Sequence, residues 1–424
     1  MQTALSIGVL AVLLYLITRP PKPWPEVVWA VPAAALVLVT GLEPWSAAWQ
    51  QVRALWPTLA FLAAIFVVAE GADAAGLFDA AGSLLGRGRR QGRAGQRRTV
   101  VAVAVLAVVI TSVLSLDATV VLFTPVVVRA VRGRSRPTVD AALLATVFLA
   151  NGASLLSPVA NLTNLLVIHQ SGLSYAGFSA RLALPCLVAG ALITWVLLAG
   201  NREPADPAPA GAAEVAPPEA AAPTVDALGW FVGAVIAVLI VAFFVGSGLG
   251  IAPAWPAWIG AVVISVAVVA SSRDTPVQLA RAAAPGFLVF VLCLAIVVGA
   301  AARHGLGHTI VDHVPHGSGL LAMLGVALLA ALLANLVNNL PATLLLLPAL
   351  AGRPVALLLA ALLGLNIGPN LTYTGSLATL LWRRRVREEG VEPSLGTFLR
   401  SSWVSTPLAL VAATVTLWLT TGGP

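Results

Sequence analysis

Four polar stretches interrupt an otherwise oily chain, and they hold its chemistry. They read LDAT at 116–119, NGASLLSPVANLTN at 151–164, VNNLPAT at 337–343 and NIGPNLTYTGS at 366–376. The second supplies Asn151, Ser154, Asn161, Thr163 and Asn164, the third Asn338, Asn339 and Thr343, and the fourth Asn370, Thr372, Thr374 and Ser376. Amides and hydroxyls donate and accept hydrogen bonds without carrying charge. These twelve side chains are the candidate substrate contacts. The first stretch adds a carboxyl, Asp117, with no basic residue near it in sequence. An ionisable group inside a membrane is expensive and usually functional. Desolvation without a cationic partner disfavours the charged carboxylate, so Asp117 is the candidate proton carrier. A structural role competes: Asp is a good helix N-cap, and a helix is expected to begin there.

Other chemistries find little support. There is no H-E-x-x-H, no nucleophile with a base beside it, and no His at the middle of an apolar run. Cys186 and Cys293 sit in separate apolar stretches, so neither a disulfide framework nor a zinc site is expected. His304, His308, His313 and His316 cluster between Arg303 and Gly317 and read as a solvated loop rather than a metal site. Glu70 and Asp73 end an apolar run and read as solvated or paired with the Arg-rich segment after it. No cofactor is expected.

The elements that position these residues follow from composition. The chain has 424 residues, 59% hydrophobic and 10% charged, with a mean hydropathy of +0.95. Soluble domains are about a quarter charged. Apolar runs of about 20 residues, the length that crosses a bilayer, recur throughout. An all-α integral membrane protein is expected, with spans near 3–18, 26–42, 54–72, 99–130, 139–168, 181–199, 227–248, 254–271, 285–302, 318–350, 354–382 and 398–420. The N-terminus reads as a first span rather than a cleaved signal, because it has no basic leader segment. The net charge of +7 lies in loops between spans, where it sets orientation instead of binding nucleic acid.

Runs 99–130 and 318–350 are too long for one crossing and carry a polar break near the middle. Each is expected to enter and return as a helical hairpin. With that, 20 of the 24 Lys and Arg residues fall on the cytoplasmic side, leaving Arg53, Arg181, Arg303 and Arg353 outside. Both termini are then external. Runs 139–168 and 354–382 are expected to be broken helices. Inside hydrocarbon, irregular backbone survives only when buried in protein or lining a wet cavity.

The halves resemble each other: 151–167 lies over 366–382, and 116–125 over 339–348. The charge count sends the first broken helix outward and the second inward, so the repeats are inverted. The organisation read is N-terminal membrane helices at 1–53, repeat 1 at 54–200, a Pro/Ala-rich cytoplasmic linker at 201–226, connecting membrane helices at 227–284 and repeat 2 at 285–424. About ten transmembrane helices accompany the two hairpins and two broken helices. Inverted repeats with paired broken helices are the signature of a secondary transporter with a midplane site. Asn, Thr and Gly can also be packing glue between helices. Four such segments, paired by internal similarity, argue for a site.

LVNNLPATLLLLPAL at 336–350, NIGPNLTYTGSLATLLW at 366–382 and SPVANLTNLLV at 157–167 resemble the arsenite/antimonite efflux permeases of the ion transporter superfamily. The resemblance spans nearly the whole chain in order. It implies export of trivalent arsenic and antimony hydroxides across the plasma membrane in exchange for protons. It also implies a mobile transport domain working like an elevator against a scaffold. Some members pair with a soluble ATPase and others act alone, so that partner and a homo-oligomer both stay open. Asn370 departs from the pattern, where a Lys is expected. Arsenous acid is a neutral trihydroxide and needs hydrogen-bonding groups rather than a cationic pocket. A sodium/proton antiporter or another ion or anion carrier of the superfamily is the alternative, since Asp117 and freed carbonyls also suit a cation.

Overall fold

A computed structural model describes residues 2–19, 24–86, 92–202, 225–315, 317 and 319–422. Lys22, Arg87, Arg89, Arg90, His316 and residues 203–224 of the linker lie outside the described residues. The described chain is helical throughout, with no strand. Eight helical stretches in it are long and apolar enough to cross a bilayer, and five shorter apolar helices accompany them. The chain is an all-α integral membrane protein.

Helices α1 (Gln2–Thr18) and α2 (Val27–Val39) precede α3 (Trp45–Ala74), which begins nine residues before the expected 54 and carries Pro57 within it. A turn at Gly76, with φ of 76°, leads into α4 (Leu77–Gly86), a short helix the hydropathy does not announce. The expected hairpin follows as α5 (Gly92–Val113), a break at 114–115, α6 (Leu116–Ala118), a π turn at Thr119–Phe123 and α7 (Thr124–Val131). The first broken helix is α8 (Arg136–Gly152), two 3₁₀ turns at Ala153–Leu156 and Pro158–Ala160, and α9 (Leu162–Ser171). Pro158 has no N–H to continue a ladder, which is why the chain unwinds there.

Beyond it lie α10 (Tyr175–Gly200), α11 (Ala227–Gly248), α12 (Ala254–Ala270), α13 (Pro276–Ala282) and α14 (Pro285–Ala301), then a π turn at Ala302–Leu306 and α15 (Gly307–His313). The second hairpin is α16 (Leu320–Val337) and α17 (Asn339–Ala349), joined at Asn338. The second broken helix is α18 (Val355–Ile367), a 3₁₀ turn at Gly368–Leu371 with Pro369 in it, and α19 (Leu377–Glu388). Helix α20 (Leu395–Gly422) closes the chain. The order hairpin then broken helix therefore occurs twice.

The most extensive helix pairings are α10 with α20, α16 with α18, α12 with α3, α5 with α8 and α14 with α2. Small residues set the tightest of these. A Cβ on Gly364 would lie 2.1 Å from the Ala327 carbonyl oxygen and 2.7 Å from the Ala330 methyl. Helices associate in lipid by such backbone approach rather than by hydrophobic burial. Large apolar side chains face outward instead, among them Leu321, Trp230, Trp255 and Val238. One carboxylate is fully buried away from the four polar stretches. Arg303 grips Glu43 with two hydrogen bonds of 3.1 and 3.2 Å, and Gln51 adds a third of 2.9 Å. His304 bonds the Leu42 carbonyl at 3.0 Å. Together these contacts fasten the π turn after α14 to the loop between α2 and α3.

Candidate functional site

Three of the four polar stretches line one cavity of about 490 Å³, and the helix that follows the fourth completes it. Leu116, Asp117 and Ala118 come from the tip of the first hairpin, and Asn161 and Thr163 from the break of the first broken helix. Asn339 comes from the second hairpin tip, and Leu377 from the restart of the second broken helix. Helix α3 contributes Phe66 and Glu70. Arg281 lines the cavity and is exposed, marking its open side, while Asn161, Thr163 and Asn339 are buried.

Asp117 is partly accessible from this cavity, and its carboxyl has no hydrogen-bond or ion-pair partner among the described residues. It does not cap the helix. Ser115 is the N-cap: its hydroxyl accepts the Ala118 N–H at 3.0 Å. The structural role weighed for Asp117 thus belongs to its neighbour, and the carboxyl is left to the cavity. Behind the tip, Thr111 and Thr119 share a hydrogen bond of 2.7 Å that ties the hairpin's two arms.

The two broken helices meet behind the cavity through their amides. Asn366, one turn before the second break, accepts hydrogen bonds from Asn161 at 2.6 Å and Thr163 at 2.9 Å, and donates to Asn164 at 2.9 Å. Asn164 donates to the carbonyls of Ser154 and Ser157, at 2.6 and 2.9 Å, that the first break frees. The mirror arrangement uses Asn151, one turn before the first break. Asn151 donates to Asn370 at 2.9 Å and Thr379 at 3.2 Å, and accepts from Ser376 at 3.2 Å. A shift of 215 residues relates the two sets: Asn151 to Asn366, Asn161 to Ser376, Asn164 to Thr379. Asn370 donates onward to the Phe148 carbonyl at 3.0 Å. Asn370 therefore joins the two broken helices.

Asn338 occupies a different place. Its φ of 76° and ψ of 154° fall where side chains other than glycine are strained. Its amide donates to the Thr374 carbonyl at 3.3 Å, and the Asn339 N–H to the Gly375 carbonyl at 3.1 Å, stitching the hairpin tip to the second break. Asn338 and Thr374 line a separate crevice of about 400 Å³ against α1 and α14.

Of the twelve candidate contacts, Asn161, Thr163 and Asn339 line the cavity with Asp117. Asn151, Ser154, Asn164, Asn370 and Ser376 form the buried amide and hydroxyl network behind it, with the Ser154 hydroxyl on the Asn151 carbonyl at 2.6 Å. Thr343 turns inward to the Asn339 carbonyl at 2.7 Å, and Thr372 donates to Asn335 at 2.8 Å. Sequence reasoning passed over Asn366 and Asn335, although each is an amide within an apolar helix. It read Glu70 as solvated or paired with the Arg-rich segment, of which Arg87, Arg89 and Arg90 lie outside the described residues; Glu70 is half-buried in the cavity wall, without an ion-pair partner among the described residues. Arg281 and Arg385 line the same cavity, so cationic groups lie nearer than the polar stretches alone indicate. Cys186 rests on the Gly152 and Ala153 carbonyls at 3.8 and 3.6 Å, away from the cavity.

Hairpins and broken helices closing on one polar cavity, inside an apolar outer shell, define a multi-pass membrane transporter. The chain belongs to the citrate transporter family, CitMHS, whose sequence pattern matches residues 12–355. It is 28% identical over 393 residues to the arsenical pump membrane protein of Escherichia coli K12, covering 88% of each chain. The arsenical pump membrane protein of Yersinia enterocolitica is 27% identical over 386 residues, with the same coverage. Both agree with the resemblance carried by the motifs. Among solved structures, the fold is shared with the Alcanivorax borkumensis YdaH transporter at a TM-score of 0.56 and 16% identity, over 100% of this chain and 99% of that one. Neisseria gonorrhoeae MtrF, described as illuminating a class of antimetabolite efflux pumps, matches at a TM-score of 0.56 and 13% identity, over 98% and 94%.

Proposed function

We propose that this chain exports trivalent arsenic and antimony hydroxides from the cytoplasm in exchange for protons. The observation that carries the reading is that Asn161, Thr163 and Asn339 bring buried neutral groups to the cavity beside Asp117, a carboxyl at the hairpin tip with no partner among the described residues. A neutral trihydroxide finds hydrogen-bond donors and acceptors in those three side chains. In the proposed cycle a proton arriving from outside neutralises Asp117 and weakens its hold on the bound hydroxide. The substrate leaves outward, and the neutral site returns and gives up its proton inside. The two hairpin and broken-helix units act as inverted repeats, and the unit carrying them moves like an elevator against the remaining helices. Both termini are external in this arrangement, supported by the 20-to-4 division of basic residues.

The relatives named as arsenical pumps support the substrate class. The test is arsenite and antimonite sensitivity of a plasma-membrane host lacking its own exporter, with and without this chain. Protection against both ions is expected; unchanged sensitivity with the protein present in the membrane overturns the reading. A second reading, an anion carrier, draws on Arg281 and Arg385 in the cavity wall and on the family's citrate members. Vesicle uptake of labelled citrate against labelled arsenite separates the two.

A further inference from the structure

The chain has 17 Asp and Glu residues, of which Glu203, Asp206, Glu214 and Glu219 lie outside the described residues, leaving 13. Seven of these 13 form ion pairs with Arg. Glu26, Glu70, Asp73, Asp117, Asp274 and Asp312 have no ion-pair partner among the described residues. Three of those six, Glu26, Glu70 and Asp117, line the one cavity described above, and none of the seven paired carboxylates does. Among the described residues, then, seven of the ten carboxylates outside this cavity are paired with Arg, and none of the three along it is.

We propose that Glu70 is a second proton-binding site, which takes the proton released by Asp117 and passes it to the cytoplasmic mouth of the cavity. Glu70 sits within α3, half-buried, with its carboxyl on the cavity wall. The charged groups around it are Asp73 on its own helix, Asp274 ahead of α13, Arg385 on α19, and Glu26, Arg281 and Asp117 across the cavity. Arg385 is engaged with Glu388 at 3.0 Å, and Arg281 is exposed. No cation among the described residues is therefore fixed on Glu70. A carboxyl kept unpaired within a membrane helix is costly, and such groups serve proton relays. The step balances simply: the Asp117 O–H breaks, the proton crosses by cavity water to the Glu70 carboxylate, and the Glu70 O–H later gives it to bulk water. A cavity of about 490 Å³ has room for several waters at about 30 Å³ each.

This proposal rests on the proton-coupled reading above, and two assays on the reconstituted full chain separate them. The first is arsenite accumulation driven by an imposed proton gradient. The second is arsenite exchange at equal pH, which uses only the substrate-loaded crossing and moves no net proton. Glu70→Gln is expected to slow accumulation about tenfold or more while leaving exchange within about twofold of the wild type, which also reports that the variant is folded. Glu70→Asp, which keeps the carboxyl, is expected to recover accumulation with a shifted pH profile. Wild-type accumulation and pH profile in Glu70→Gln overturn the proposal. Equal loss in both assays also overturns it, because it marks a substrate or packing role. If Glu70→Gln does not reconstitute, an unaltered pH profile in Glu70→Asp overturns it. Failure of the wild type to accumulate while it still exchanges removes the coupling reading itself, and the relay with it.

Discussion

Replacing Asn366 by alanine probes the joint between the broken helices. Asn366 is 1% exposed and makes three side-chain hydrogen bonds, to Asn161, Thr163 and Asn164. Side-chain hydrogen bonds between membrane helices average about 0.6 kcal/mol. That value suits Asn161 and Thr163, which line the cavity and can turn to water once Asn366 is gone. Asn164 does not line it, and its carbonyl oxygen would be stranded in a dry interior. A buried group left unsatisfied costs about 1–3 kcal/mol, so about 2 kcal/mol is assigned there, and the whole loss comes to about 3 kcal/mol. Unfolding in mixed micelles, titrated with a denaturing detergent, measures it. Asn366→Leu keeps volume but removes the polar groups and should lose a similar amount. A double-mutant cycle with Asn164→Ala should show coupling of about 1 kcal/mol or more. A loss under about 0.5 kcal/mol in Asn366→Ala, or an additive cycle, refutes the joint as described.

Further predictions concern other parts of the site. Asp117→Asn keeps shape and should still bind arsenite but lose gradient-driven accumulation in vesicles; wild-type accumulation would remove the proton-carrier role. Replacing Cys186 and Cys293 together by alanine should leave arsenite protection largely intact, since the thiols sit on different helices and neither lines the cavity; lost protection with the protein still in the membrane would require a thiolate mechanism. Gly364→Ala should cost about 2 kcal/mol in the same detergent titration, because the new methyl meets backbone of α16 that cannot step aside; unchanged stability would mean α16 and α18 do not pack this closely. At Asn338, Gly should be more stable than Ala by about 1 kcal/mol, since only Gly adopts this backbone freely; equal stabilities would argue against the strained tip.

The spans were legible because a bilayer imposes a length, and apolar runs of that length stand out. The breaks were legible because Pro158, Pro369 and the paired amides cannot continue an apolar ladder. The start of α3 at Trp45 was not, since Gln50, Gln51 and Arg53 lower the hydropathy of a turn that is nonetheless helical. Nor was α4, which is too short to announce itself and amphipathic. Within the site, Asp117 was legible as an isolated charge, but its freedom from capping was not, because Ser115 two residues earlier could serve equally well on sequence grounds. Asn366 escaped notice because its partners lie more than 200 residues away. The place of Glu70 on the cavity wall was not legible either, since nearness to a helix end says nothing of which side of the helix a cavity will open on.

The exchange of asparagines between the broken helices makes each half of this chain incomplete. Asn151 reaches Ser376 and Thr379 beside the second break, and Asn366 reaches Asn161 and Asn164 beside the first. Each half satisfies some of the carbonyls its own break frees, through Asn164 in the first and Asn335 in the second, while amides of the other half complete the network. The seam between the two halves therefore behaves as an interface inside one polypeptide, and part of the polar core assembles only there. Chains split within the linker should therefore rescue one another when made together and fail singly. A substitution on one side of the seam sets the terms on which its hydrogen-bond partner on the other side, 202 to 228 residues away, can change.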